Sequence, residues 1–302
     1  MKNLILILTA ILTLSACAEK EHFYYGQLTV EGSDFVTTAA PKYHKCCVET
    51  SAVMYQGKPV YLPSRKPGDL SVDFLDGSPI FTVETYVHYA YIFESPTPGV
   101  YYNVTKIGFD GDVYIKRSTD LINWQILNGG QPVLKHGPGD YSHIWNPGAA
   151  IDDNGVWHLF VECGQQGSQA DVGLCYSTAT MVNDMIDFEP NKSPGIVLPG
   201  GGNPWIGNVP GKGLVAVYGK ANSPVNQFGM EWYVAAAVLP NGSTQWTESP
   251  TFRIGETGIH VCDPHLVETT EGVSMLVSYN QNSAYELKTT KTMSELFDIV
   301  AQ

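Results

Sequence analysis

The chain has 302 residues, 43% of them hydrophobic, and carries 30 acidic against 17 basic side chains. The formal net charge of −13 excludes charge-driven binding to nucleic acid or to another polyanion. The apolar fraction is sufficient for a large core, and the length is at the upper end for one domain.

The first residues predict export. After Lys2, an uncharged apolar run from Leu4 to Leu14 is too short to cross a bilayer and remain as a helix. The run ends in Leu14-Ser15-Ala16-Cys17, which resembles the lipobox of bacterial lipoproteins, where the cysteine becomes the lipidated N-terminus. We therefore expect lipidation at Cys17.

The resulting division of the chain is a signal peptide over 1–16, a lipidated tether over 17–22 and a folded domain over 23–302. No aspartate directly follows Cys17, which favours the outer membrane of a bacterial cell envelope. The N-terminal lipid is then the expected contact with the membrane.

The rest of the chain predicts an all-β fold with an internal repeat. Glycine and proline separate short runs rich in valine, isoleucine, tyrosine and tryptophan. Segments beginning at Asn146-Pro147, Asn203-Pro204 and Asp263-Pro264 each continue as a strand, a glycine turn and a second strand. Their starts are spaced by roughly 60 residues, which is typical of a repeat architecture.

Two earlier units fit the same pattern more loosely, beginning at Glu49 and at His88. Five units of this size predict a five-bladed β-propeller, with the segment Phe23 to Thr29 closing the ring. A β-sandwich is the alternative fold, but it does not account for the period.

A motif in the second unit carries a family resemblance. Arg117-Ser-Thr-Asp-Leu-Ile-Asn-Trp124 resembles the outer-strand signature S-x-D-L-x-x-W of five-bladed propeller glycosidases, the family 43 type and its relatives, and Thr292 to Phe297 is a looser match. The resemblance implies a glycoside hydrolase acting on an oligo- or polysaccharide. For Asp120 and Trp124 we expect structural roles, capping a turn and packing between blades.

In a propeller the first strand of each blade lines the central channel, so the residues at the strand starts converge at one mouth. The predicted mouth residues and their neighbours are Glu49, His88, His143, Trp145, Asn146, Asn203, Trp205, His260 and Asp263. Aromatic rings beside acids and amides suit a sugar, whose ring faces stack and whose hydroxyls form hydrogen bonds. Taken singly, Asn-Pro and Asp-Pro also begin ordinary turns.

Hydrolysis of a glycosidic bond ordinarily uses two carboxyl groups. The resemblance implies three acids on the first three blades, but this chain offers Glu49, His88 and Asn146 there. Because the first and fifth blades are ring neighbours, Glu49 and Asp263 are the predicted acid/base pair. Further acids are available at Glu94, Asp140 and Glu162. The incomplete triad leaves open a second function, a non-catalytic carbohydrate-binding lipoprotein with a degenerate site.

The histidines and cysteines allow other chemistry. His88, His143 and His260 near one mouth would also suit a divalent metal in the channel, although we assign no metal ligands to the predicted site. Cys163 and Cys175 lie on consecutive predicted strands, where a disulfide can form in an oxidising compartment. For Cys262 a disulfide with Cys46 or Cys47 is a better expectation than a nucleophilic thiol.

Overall fold

The computed structural model describes residues 35–37, 43–44, 50–66, 68–74, 79–106, 111–165, 172–221, 231–255, 260–279 and 283–298. The predictions for Cys17, for Phe23 to Thr29 and for Glu49 lie outside these residues. Within the described ranges no helix is long and apolar enough to cross a bilayer.

The described part of the chain is almost entirely β-structure. Its strands are β1 (Val36–Thr37), β2 (Tyr43–His44), β3 (Thr50–Tyr55), β4 (Lys58–Lys66), β5 (Gly68–Phe74), β6 (Pro79–Glu94), β7 (Tyr101–Lys106), β8 (Val113–Ser118), β9 (Gln125–Ile126), β10 (His143–Ile151), β11 (Val156–Gly164), β12 (Gly173–Thr180), β13 (Lys192–Pro199), β14 (Gly201–Val209), β15 (Gly213–Ala221), β16 (Trp232–Leu239), β17 (Thr247–Ile254), β18 (Val261–Thr269), β19 (Gly272–Tyr279) and β20 (Ser283–Thr289). Short 3-10 turns lie at Asn128–Gly130, Gly139–Ser142 and Glu189–Asn191, and one α-helical turn, α1, at Met293–Leu296.

These strands form four antiparallel sheets in a propeller arrangement, which confirms the all-β propeller predicted from the repeat. Sheet A contains β3 to β9, sheet B β10 to β13, and sheet C β14 to β17. Sheet D contains β18, β19 and β20. Its outer edge is completed by the N-terminal strands β1 and β2, which both pair with β20. Residues 36–37 and 43–44 thus complete the last sheet, whereas the prediction for Phe23 to Thr29 is not tested by the described residues.

The long strand β6 belongs to two neighbouring pairings. Its first part, from Pro79 to Val87, pairs with β5. Its second part, from His88 to Glu94, pairs with β7. The strand thus joins two stretches of sheet A that are each about as large as one of the other sheets.

The inner strands contact one another in a closed ring. In order, β3 contacts β6, β6 contacts β10, β10 contacts β14, β14 contacts β18, and β18 returns to β3. The second half of β6 makes the first of these contacts, because the Ser51 hydroxyl donates to the Ala90 carbonyl at 2.9 Å and accepts from the Ile92 amide at 3.2 Å. The starts of these strands therefore meet around one axis.

Buried aromatic rings bind sheets A and B together. Tyr102 and Trp157 meet edge to face with ring centroids 4.7 Å apart, and Phe93 lies 5.7 Å from each. Pairs of this kind contribute about 0.5–1.5 kcal/mol beyond the area that they bury. The contact packs β11 of sheet B against β6 and β7 of sheet A.

The family motif has the structural role that the sequence predicts. The Asp120 carboxylate accepts hydrogen bonds from the amides of Ile122 and Asn123, and these bonds hold its pKa well below the usual range. Trp124 packs against a cluster that includes Val53 of β3 and Ile92 of β6. The looser match at Thr292 forms the N-cap of α1 in a capping box with Glu295.

A disulfide joins Cys163 of β11 to Cys175 of β12, with Cα atoms 5.8 Å apart. This confirms the bridge that the consecutive strands allowed. The partners predicted for Cys262, at Cys46 and Cys47, lie outside the described residues; in the described contacts the Cys262 sulfur lies beside His260 Nε2 and Asp263 Oδ2.

Candidate active site

The polar starts of the repeat are β-bulges. In β10, β14 and β18 the pairing register shifts at Asn146, Asn203 and Asp263, so that one extra residue is inserted. These three residues have φ of 36°, 49° and 53°, in the left-handed region that non-glycine residues rarely adopt. Such a conformation costs on the order of 1–3 kcal/mol and is found most often at functional sites. The repeated bulge is the structural basis of the repeated Asn-Pro and Asp-Pro signature.

The residue before each bulge pairs with an equivalent position on the second strand. Trp145 pairs with Glu162, Gly202 with Gly219, and Cys262 with Ser278. A similar shift follows His88 in β6, and His88 pairs with Lys106. The second strands thus place two charged residues, Lys106 and Glu162, at equivalent points of the ring.

Glu162 is the centre of a hydrogen-bonded cluster. Its Oε2 accepts from Asn146 Nδ2 at 3.0 Å, and Asn146 Nδ2 also donates to Asn203 Oδ1. The Asn203 backbone N–H donates to the Glu162 carboxyl group. Burial, and secondly the negative charge of Asp263, raise the pKa of Glu162 to about 8, against the opposing effects of the Asn203 N–H and of Lys106. At neutral pH this carboxyl group therefore holds a proton.

Lys106 and an aromatic pair form one wall of the cluster. The Lys106 side chain is fully buried, and its Nζ lies 5.9 Å from the centroid of the Trp145 ring. The His143 imidazole stacks on Trp145 with centroids 4.9 Å apart and planes 6° from parallel. Since His143 covers one face of the Trp145 indole, a sugar ring has the other face or the outer face of the imidazole for stacking.

Sheet C makes room for the carboxyl group. A Cβ atom on Gly202 would lie 2.7 Å from Glu162 Oε2 and 3.1 Å from the Trp232 ring. A Cβ atom on Gly219 would lie 3.1 Å from Cys262 Cβ. The two glycines are paired across β14 and β15, so the close approach of sheets B, C and D at the mouth depends on both.

Asp263 has a separate set of neighbours. It is 5% exposed, and its Oδ2 accepts from the Cys262 thiol at 3.2 Å. The Cys262 sulfur in turn lies 3.1 Å from His260 Nε2. The His260 ring packs near Trp232, with centroids 5.8 Å apart. Because the charge of Asp263 acts on Glu162, the carboxyl groups of these residues of sheets D and B lie near one another at the mouth.

The structure brings most of the predicted site residues together. Asn146, Asn203 and Asp263 surround Glu162, while Trp145, His143 and His260 border the cluster. Glu49 lies outside the described residues, and for His88 the strand position is described but the side chain is not.

Trp205 lies elsewhere. Its ring stacks on Phe297 at 6.4 Å and lines a cavity of about 730 Å³ at the opposite end of the channel, where the inner strands finish. Trp205 comes after the bulge, where pairing resumes with Val217, and so lies further along β14 towards that end.

The acids at the opposite end hold turns. Glu94 accepts from the Gly99 amide at 2.8 Å. Asp152 accepts from the Val156 amide, also at 2.8 Å. Of the further acids considered from sequence, Asp140 lies in the 3-10 turn before β10, and Glu162 is the one that reaches the cluster.

The residues that the structure describes contain no group of three or more histidine, cysteine, aspartate or glutamate side chains placed to hold a metal ion. His143 contacts Trp145, and His260 contacts Cys262 and Trp232. In the described part of the site, both histidines thus have aromatic or thiol neighbours.

Comparison with known proteins supports the fold. No family model matches the sequence, and no curated protein does. Among solved structures, a thermostable family-43 glycoside hydrolase is similar with a TM-score of 0.59 at 10% identity, over 83% of this chain and 91% of that one. A glycosyl hydrolase from Bacteroides ovatus matches with a TM-score of 0.55 at 10% identity, over 88% and 92%. A family-43 endo-arabinanase from Bacillus licheniformis matches with a TM-score of 0.52 at 11% identity, over 81% and 93%. At these identities the likeness shows a shared fold.

Lys106 was not among the predicted site residues, and Glu162 was predicted only as one of three further acids. Each is a charged residue towards the end of the second strand of its unit, Tyr101–Lys106 and Val156–Gly164. A charged residue in the second strand is a signal that the sequence contains, whereas the repeat itself marks only the first strand of each unit. The second strand supplies these two groups because of the register at the bulge.

Proposed function

We propose that the protein is a glycoside hydrolase that cleaves an oligo- or polysaccharide at the mouth formed by the starts of the inner strands. The observation that carries the proposal is the Glu162 carboxyl group, which accepts a hydrogen bond from Asn146 and lies close enough to the second carboxyl group of Asp263 for that charge to favour its protonated form. Two carboxyl groups whose environments separate their proton affinities are the usual equipment for this reaction.

The proposed reaction assigns one role to each acid. Glu162 donates its proton to the glycosidic oxygen as the bond to the anomeric carbon breaks. Asp263 assists the attack of water on that carbon and accepts the proton that the water loses. The amide groups of Asn146 and Asn203 bind sugar hydroxyls, and the His143–Trp145 stack supplies an apolar surface. Glu49 stays a predicted partner for Asp263.

We further propose that the ring has five blades. The support is the division of β6, whose two halves pair with different strands, and the closed ring of five inner strand segments. Sheet A then contains two blades that share β6 as a continuous connection. On this interpretation the pair His88 and Lys106 is the second-blade equivalent of Trp145 and Glu162.

The first test is a search for turnover on a broad panel of glycans, followed by Asp263→Asn. The amide preserves the shape and removes the proton-accepting role, so turnover should fall by ~10²–10⁴-fold while sugar binding largely survives. Asp187→Asn is the matched control, because Asp187 is exposed and its carboxylate accepts from the Glu189 amide, away from the mouth. Unchanged turnover in Asp263→Asn would remove Asp263 from the mechanism.

The same glycan panel also tests the alternative function, a non-catalytic carbohydrate-binding protein. Binding of a glycan without turnover by the wild type would favour the carbohydrate-binding lipoprotein. The observation that favours this second function is the identity of the bulge residues. Two of the three, Asn146 and Asn203, are amides, and only Asp263 is an acid.

The cell envelope is the proposed location, with Cys17 as the lipidated residue of an outer-membrane lipoprotein. The support is the Leu14-Ser15-Ala16-Cys17 motif. Cys17→Ser should move the protein out of the membrane fraction, measured by fractionation and by labelling with a radioactive fatty acid. A Cys17→Ser variant that stays membrane-bound would contradict this anchor.

A further inference from the structure

We propose that Cys262 is a positioning residue, whose thiol holds the Asp263 carboxylate in place while its sulfur accepts a hydrogen bond from His260. The inference rests on the proposed function, because it concerns the second carboxyl group of that site. The chain of contacts is short: His260 Nε2 lies 3.1 Å from Cys262 Sγ, and Sγ lies 3.2 Å from Asp263 Oδ2.

The chemistry of the three groups sets the direction of the chain. An ionised carboxylate only accepts hydrogen bonds, so the single thiol hydrogen of Cys262 must point to Asp263. The sulfur is then left as an acceptor, and His260 must carry its proton on Nε2. The opposite arrangement, a thiolate beside an imidazolium, would place a second negative charge against the carboxylate in a site where Cys262 is 3% exposed.

Packing keeps the thiol in register with the carboxylate. Cys262 belongs to a small buried cluster with Trp232 and Ala221, and Gly219 approaches its Cβ closely. The left-handed φ of Asp263 fixes the backbone on the other side of the contact. A side chain larger than cysteine has no room here, whereas serine preserves both the size and the donor.

The titratable groups around Asp263 come from two other strands and one loop, besides Cys262 on its own strand. Glu162 on β11 couples to it electrostatically, Lys106 on β7 acts on the same Glu162 carboxyl group, and His260 precedes β18. Cys262 is the member of this set that donates directly to Asp263 in the described contacts. Loss of the donor should therefore leave the carboxylate both less fixed in orientation and easier to protonate.

The first experiment needs no substrate. The rate at which methyl methanethiosulfonate modifies Cys262 is followed by peptide mass spectrometry in the wild type and in Asp263→Asn. Removing the adjacent negative charge favours the thiolate, and we expect modification to be about 10-fold faster or more. Glu162→Gln and Asp187→Asn are controls, because the former removes a neutral acid at the same mouth and the latter an exposed acid.

Two results of that experiment would overturn the proposal even if the protein proves to be an enzyme. One is an equal rate in the wild type and Asp263→Asn. The other is Cys262 recovered in a disulfide with Cys46 or Cys47, since that sulfur has no proton to donate.

The second experiment uses a glycan that the wild type hydrolyses. Cys262→Ala should lower kcat by about 10-fold with little change in KM, and should move the acidic limb of the pH profile to higher pH, because the carboxylate loses a donor. Cys262→Ser should restore most of kcat, since a hydroxyl donates to the same oxygen. Equal losses in the two variants would show a packing role alone. Failure of every glycan to turn over is a failure of the proposed function, and the modification rates still decide the role of Cys262.

Discussion

Sheets B and C begin in the same way and end in different chemistry. Both inner strands start with Asn-Pro, both carry a one-residue bulge, and both asparagines have a left-handed φ. At the equivalent position of the second strand, sheet B has Glu162 and sheet C has Gly219. Sheet C therefore leaves room for the carboxyl group that sheet B carries. The proposed site depends on this difference in side chain between two copies of the repeat.

The supports behind these two positions differ as well. The residue after Glu162 is Cys163, which is tied to Cys175 on β12. The residue after Gly219 is Lys220, which forms an ion pair with Glu248 of β17. We infer that sheet B is the more rigid of the two. Its proposed acid is next to a covalent bond, whereas the glycine of sheet C is next to a partly exposed ion pair.

The largest expected effect is on the acid itself. Glu162→Gln removes the proton that the mechanism donates, and turnover should fall by ~10²–10⁴-fold. In the wild type, activity should decline as pH rises through about 8, the value to which burial and Asp263 raise the pKa of Glu162. Steady-state kinetics across pH measures both, with the exposed Glu271→Gln as control. Full activity of Glu162→Gln would transfer the donor role to another acid.

The next effect tests the two supports. The double variant Cys163→Ser with Cys175→Ser should lose about 3 kcal/mol of unfolding free energy, because the bridge closes a short loop in the unfolded chain. In sheet C, Lys220→Met should lose at most about 1 kcal/mol, as expected for a pair screened by solvent. Urea unfolding gives both values. A larger loss in sheet C would reverse the proposed order of rigidity.

The acid of sheet B should also make stability depend on pH. The pKa of Glu162 is higher in the folded chain than the ordinary glutamate value of 4.5, so the folded state binds more protons between pH 4.5 and about 8. Its stabilisation is complete below about pH 4.5 and is lost as pH rises through about 8, a change on the order of a few kcal/mol. Glu162→Gln should flatten this part of the curve measured by urea unfolding. Parallel curves for the two proteins would show that Glu162 titrates normally.

The smallest effect is expected from a substitution that fills the space beside Gly202 in sheet C. Gly202→Ala places a Cβ atom 2.7 Å from Glu162 Oε2, so the carboxyl group must shift by a few tenths of an ångström. Turnover should fall by about 10-fold, because a displaced acid transfers its proton less well. Gly137→Ala, whose new Cβ meets only Lys192 Nζ at 3.9 Å, is the matched control. An unaffected Gly202→Ala enzyme would show that the space is not required.

Much of the fold followed from local chemistry. Hydrophobic periodicity determines the strands, and side chains that hydrogen-bond to their own backbone determine the turns, the repeated polar-proline starts and the cap at Asp120. Both features can be recognised in a sequence. Asn146, Asn203 and Asp263 were located in the same way, because each begins a unit. Their left-handed φ explains why asparagine and aspartate, which tolerate that region, occupy all three places.

The tertiary structure decided which groups meet. Glu162 lies in an apolar strand, and its raised pKa arises from burial and from Asp263, about a hundred residues further along the chain. Trp205, which follows the bulge at Asn203, lines the cavity at the other end of the channel. Pairing register and inter-sheet distance set these outcomes, and neither is a property of any one segment, so the sequence determined the blades while their packing determined the site.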